Sequence, residues 1–146
     1  MNRLVITMGD PCGVGPEIIV KFFDGIYKVE DKRLFLVVVG SKSVLEYYKK
    51  KLRIDLEIVE ITKAHIVDGK LENGKLHLIN IDTDIDKLEF GKHTELGGAL
   101  SIKYLDKAIE LCHGKYVDGI VTCPISKDSI NMAGFKYSGH TEYLAE

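Results

Sequence analysis

The chain has 146 residues, 45% of them hydrophobic and 29% charged, and 20 Lys and Arg set against 22 Asp and Glu leave a net charge of −2. That length and composition fit one soluble globular domain with its own core and not a disordered or membrane protein. The balanced charge provides no field to hold nucleic-acid phosphates nonspecifically, and no apolar run reaches membrane-spanning length.

Arg3 to Met8 reads as an apolar strand, without the basic start and long apolar run of a signal peptide, so a cytoplasmic location is expected. Pro16 and Glu17 open a helix through Phe23, ended by Asp24-Gly25. Leu34 to Val39 is a continuous β-branched run of the kind buried on both faces of a parallel sheet, followed by a helix from Ser41 to about Lys51. Asp55 to Ile61 alternates as a half-exposed strand. Asn73-Gly74, between Ile66-Leu71 and Lys75-Ile81, reads as a hairpin turn and predicts an antiparallel insert. The polar stretch from Asp82 to Lys92 is a connection, and Leu96 to His113 has helical spacing with Gly114 at its C-cap. Val117 to Thr122 is the next buried strand. Pro124 to Ala133 is a short helix closed by Gly134, and Thr141 caps a further helix. Only five residues follow Thr141, too few to offset helix nucleation, so the chain is expected to be cut within an element.

Cys12, Cys112 and Cys123 have neither disulfide-framework nor zinc-site spacing and are expected to be reduced thiols. Cys12 lies in a glycine-rich loop, but no neighbouring base marks it as a nucleophile.

Three loops, read as lying at the C-terminal ends of apolar strands, carry groups suited to chemistry, and in open α/β sheets that edge is where ligands bind. Met8 to Glu17 (MGDPCGVGPE) is rich in glycine but is neither a dinucleotide nor a nucleotide-phosphate loop, and Glu17 would repel a phosphate beside it. Thr122 to Lys127 (TCPISK) offers hydroxyls and an ammonium, which equally suit helix capping and a solvated lysine. Gly139 to Glu142 (GHTE) brings an imidazole and a hydroxyl to a helix start, a fit for an anionic, hydroxyl-bearing substrate. His65, His77, His93 and His113 show no metal-binding spacing.

Taken together, MGDPCGVGPE at 8–17, TCPISK at 122–127, GHTE at 139–142 and the GGALSIKYLDKAIELCHG stretch at 97–114 resemble the 4-hydroxythreonine-4-phosphate dehydrogenase family over the whole chain. Cys12 and Cys123 stand where small residues are usual, Ser126 where Asn is frequent, and Ser138 where Pro often precedes GHTE. The resemblance implies an α/β fold of the isocitrate and isopropylmalate dehydrogenase type, three-layer αβα with a mixed sheet. Residues 1–146 would form a single α/β domain, the N-terminal part of a longer two-domain enzyme.

It also implies NAD- or NADP-dependent oxidation, with decarboxylation, of 4-phosphohydroxy-L-threonine in pyridoxal phosphate biosynthesis. A divalent metal (Zn, Mg or Co) would assist, and its histidine ligands fall beyond the GHTE motif, so none is expected here. The complete enzyme would be a homodimer, and the isolated chain inactive. The family's substrate-binding pair corresponds to His140 and Thr141, and Asp10 and Lys127 are candidate cleft residues. No nucleic-acid or membrane partner is implied. Two rivals stay open: a related dehydrogenase acting on 4-phospho-threonate, and a non-catalytic substrate-binding or assembly module.

Overall fold

The computed structural model describes residues 2–26, 34–69, 71–72 and 74–146. Five strands form one sheet in the order β3-β4-β2-β1-β5: β1 (Asn2–Thr7), β2 (Leu34–Gly40), β3 (Ile58–Glu60), β4 (Leu76–Asn80) and β5 (Gly119–Thr122). Every pairing is parallel, with Val5 opposite Val37 and Ile120, and Val39 opposite Ile79. β2 is the central strand, and Phe35 to Gly40 are all buried, as its unbroken apolar sequence requires of a strand covered on both faces.

The helices are α1 (Gly15–Lys21), α2 (Lys42–Leu52), α3 (Lys63–Asp68), α4 (Glu95–His113), α5 (Lys127–Met132) and α6 (His140–Leu144). Asp24-Gly25 does not end the first helix outright. Phe22–Ile26 continue it as a wider π turn. The 19-residue α4 spans β1, β2 and β5 and buries Leu100, Tyr104, Leu105, Ala108 and Leu111 along one helical stripe. Within that stripe the Tyr104 hydroxyl lies 2.5 Å from Ser41 Oγ, which itself donates to the Ile81 carbonyl at 2.5 Å. Burial pushes the Tyr104 phenol well above its ordinary value, so it stays a neutral hydrogen-bonding group.

Two further expectations are corrected. Ile66 to Asp68 belong to α3 and not to a strand, and β4 runs parallel to both neighbours, so among the described residues there is no antiparallel insert and the sheet is not mixed. The reason is a helix start the hydropathy pattern hides: Thr62 N–H donates to His65 Nδ1 at 3.0 Å, while Ile66 is fully buried and anchors the turn to the core. Gly69, at φ 63°, closes α3, and the chain returns to β4 in the direction of β3. Asn73, half of the expected hairpin turn, lies outside the described residues. The second correction is β5. It is shorter than the expected Val117–Thr122 and forms the sheet edge, leaving Val121 46% exposed where a fully buried strand was expected.

Candidate functional site

A parallel sheet places all its strand C-termini on one edge, and β1 beside β5 brings the first two loops together there. Cys123 N–H donates to Thr7 O, and Asp10 N–H to Pro124 O, each at 3.1 Å. Gly9 has φ +72°, and a Cβ built on it would lie 2.3 Å from Pro124 O, so only glycine allows the two backbones this approach. Gly91 N–H reaches Cys12 O at 2.8 Å and adds the segment before α4 to the same cluster.

Between these segments lies a cleft of about 240 Å³, walled by Cys12, Val14, Pro124 and Ile125, with His93 and Ser126 at its rim. Asp10 is 4% exposed, and its Oδ1 accepts from Cys12 N–H at 2.9 Å. That carboxylate folds the loop back on itself and faces the first turn of α4 beside Gly97. The Cys12 thiol is raised above its ordinary value, chiefly by burial, which keeps it protonated and unreactive. Burial alone pushes Cys123 to about 11, and all three cysteines are free thiols.

Lys127 does not join Asp10. It lines a second, more polar cleft of about 480 Å³ together with Asn131, Lys136, Ser138 and Glu142, between α5 and the start of α6. Glu142 Oε2 accepts from Ser138 N–H at 2.6 Å and from its Oγ at 2.5 Å, and these bonds hold its carboxyl below the usual range. This link, reaching back from the first turn of α6, fixes the helix start. Thr141 was the expected cap, but Gly139 occupies that position and Thr141 lies inside the helix. At the other end of α6 the Tyr143 hydroxyl donates to Asp106 on α4, and the Tyr137 and Tyr143 rings meet edge-to-face at 4.9 Å.

His140 is half-buried on this short helix. Burial lowers its pKa below the ordinary value, so the ring is neutral at pH 7 and can donate from one nitrogen and accept at the other. Its Nε2 is buried with no protein partner, an unmet hydrogen-bonding demand shared among the described residues only by Thr7 Oγ1. Thr141 is exposed beside it. The four expected residues thus divide into Asp10 at the sheet edge, Lys127 in the polar cleft, and His140-Thr141 on α6, whose loop follows α5 and not, as expected, a strand. Among the described residues no three His, Cys, Asp or Glu side chains converge into a metal-holding group.

Sequence reasoning passed over His93. Its Nδ1 lies 2.8 Å from Ser126 Oγ, and its Nε2 lies 3.8 Å from Asp128 Oδ2. The contact spans 33 positions, so no local spacing could have revealed it.

A 4-hydroxythreonine-4-phosphate dehydrogenase of Sulfurihydrogenibium sp. is 40% identical over 146 residues, which is 100% of this chain and 42% of that protein. A Fusobacterium nucleatum protein provisionally named D-threonate 4-phosphate dehydrogenase is 39% identical, over 99% of this chain and 43% of its own length. The crystal structure of a 4-hydroxythreonine-4-phosphate dehydrogenase from Burkholderia phymatum superposes with a TM-score of 0.87 at 30% identity, covering 99% of this chain and 43% of that one. The chain therefore spans less than half the length of these relatives. The model of the family described as pyridoxal phosphate biosynthetic protein PdxA matches residues 32–146, and with so much of its length matched the chain belongs to that family.

Proposed function

We propose that this chain is the substrate-binding first part of a dehydrogenase that oxidises and decarboxylates 4-phosphohydroxy-L-threonine in pyridoxal phosphate biosynthesis. Residues 1–146 act as a single α/β domain within a longer two-domain, homodimeric, cytoplasmic enzyme. The observation that carries this reading is the buried, unpartnered Nε2 of His140 beside the exposed hydroxyl of Thr141. A neutral imidazole short of one partner is suited to a substrate hydroxyl or carboxylate oxygen, and Thr141 can supply a second hydrogen bond. Lys127 and Lys136, both at the polar cleft next to α6, give the phosphorylated end a favourable field. Asp10 contributes indirectly, because its carboxylate fixes the loop that carries the cleft wall.

NAD or NADP would accept the hydride in the complete enzyme, and a divalent metal (Zn, Mg or Co) would polarise the alcohol oxygen. Among the described residues no three His, Cys, Asp or Glu side chains converge to hold that metal. In this reading the isolated chain binds substrate without turning it over.

The test is a titration of the chain with 4-phosphohydroxy-L-threonine, following the His140 ring by NMR. A saturable shift of that resonance, abolished in Thr141→Val and absent with unphosphorylated threonine, is expected. An unmoved ring at saturating ligand would remove His140 from the site, and NADH formation by the chain alone would refute its inactivity. A second reading, oxidation of 4-phospho-threonate, rests on the near-equal identity to the Fusobacterium protein. Tighter binding of that acid in the same titration would favour it.

A further inference from the structure

The sheet-edge cleft has a feature that the dehydrogenase reading leaves unused. Ser126 caps α5, its Oγ accepting from Ser129 N–H at 3.1 Å. That bond leaves the hydroxyl proton to point elsewhere, and His93 Nδ1 lies 2.8 Å from the same oxygen. In the tautomer that accepts this proton, His93 carries its own on Nε2, which faces Asp128 Oδ2 at 3.8 Å. A hydroxyl and an imidazole that can take its proton make a nucleophile-base pair, recognised by geometry and not by chain order, and Asp128, beyond hydrogen-bond reach, adds only negative charge near the far ring nitrogen. The backbone holds the pair in place: Thr94, next to His93, donates its N–H to Ser129 Oγ at 3.1 Å, tying the start of α4 to the start of α5. The His93 and Asp128 side chains are 64% and 72% exposed, so a small ester can reach them from solvent. Cys12, Val14, Pro124 and Ile125 supply an apolar wall beside the hydroxyl.

We propose that Ser126 is an acylatable nucleophile, with His93 as its base, giving this chain a slow hydrolytic activity toward small activated acyl esters. Ser126 Oγ attacks the carbonyl carbon and its proton passes to His93 Nδ1. The acyl C–O bond then breaks, and the departing alcohol takes the proton from His93. Water attacks the resulting acyl-serine, giving up a proton to Nδ1 as the new C–O bond forms. Ser126 leaves with that proton restored, so the sum is ester plus water to acid plus alcohol.

The 146-residue chain itself is the test object and p-nitrophenyl acetate the probe. Release of p-nitrophenolate is followed in time, and the acetyl group is mapped by peptide mass spectrometry. The expected result is an acetyl on Ser126, lost in Ser126→Asn, a variant whose side chain keeps the helix cap but lacks the hydroxyl. His93→Gln, at an exposed position, should slow acetylation of Ser126 by roughly a hundred-fold, the lower end of general-base contributions. The proposal is overturned if no acetyl reaches Ser126, if the label sits only on lysine, histidine or cysteine side chains, or if His93→Gln acetylates Ser126 at the wild-type rate. Circular dichroism of both variants separates loss of the pair from loss of the fold.

Discussion

Replacing Gly98 by alanine sets two known effects against each other. Gly98 lies in the second turn of α4, where Ala is favoured over Gly by about 1 kcal/mol of helix propensity. A Cβ at that position would lie 1.9 Å from Ser129 O, 2.3 Å from Ser129 C and 2.7 Å from Ile130 N, all backbone atoms of the α5 segment. No rotamer change can relieve a clash with backbone, so α5 must move away from α4. Doing so opens the bonds that join them, Thr94 N–H to Ser129 Oγ at 3.1 Å among them. Overpacking of this kind costs about 1–3 kcal/mol, and the buried Ile130 loses contacts as well, so the clash wins. With the propensity gain subtracted, Gly98→Ala should destabilise the chain by about 1 kcal/mol and lower its midpoint by roughly 2–4 °C in thermal unfolding followed by circular dichroism. Gly97→Ala is the informative companion, because its Cβ meets side-chain atoms, Asp10 Oδ1 at 2.7 Å and Thr94 Oγ1 at 2.9 Å, which can give way. A midpoint for Gly98→Ala at or above that of the unmodified chain would mean that α5 docks loosely, and the argument would fail.

Thr94 caps α4 through Oγ1, which accepts from Gly97 N–H at 2.9 Å; Thr94→Ala should cost about 1 kcal/mol in urea unfolding, and Thr94→Ser little. His77 is buried on β4, its Nε2 accepts from Glu72 N–H at 3.2 Å, and burial holds its pKa below the ordinary 6.5. A lowered histidine pKa means that the folded state prefers the neutral ring, so this stabilisation is complete above the unfolded value near 6.5 and is lost as pH falls toward the lower folded value. Urea midpoints should therefore drop between pH 7 and pH 5 by more in the unmodified chain than in His77→Asn; equal slopes would show that His77 does not report on folding.

The parts of the fold that were legible in the sequence are those whose partners are local or whose burial is two-sided. β2 announced itself because a strand at the centre of a parallel sheet can be apolar at every position, and α4 because nineteen residues of helical spacing leave no shorter alternative. The segment around Ile66 misled for a physical reason. Six residues of helix show fewer than two turns of periodicity, and the signal that started α3 was a histidine accepting from the Thr62 backbone, a role more often filled by Glu or Gln. β5 misled in the opposite way: its apolar sequence suits a strand with neighbours on both sides, and among the described residues it has one.

The site divides along the same line. The glycines of the first loop could be read as places where backbone approaches backbone, and Gly9 against Pro124 O is such a place. What the loop touches depended on β1 and β5 being neighbours, a pairing across more than a hundred positions that no window of sequence contains. The same holds for His93. As a lone histidine it had no feature to separate it from His65, and the structure shows why the two differ. His65 spends its Nδ1 on its own helix start, whereas His93 presents its Nδ1 to a serine from another loop and its Nε2 to the water-facing side of Asp128. A histidine's chemistry follows from what its second nitrogen meets, and that is a property of packing. His140 is the third case: family resemblance picked it out, and the fold adds the reason it could serve, a buried nitrogen that nothing in the described chain satisfies.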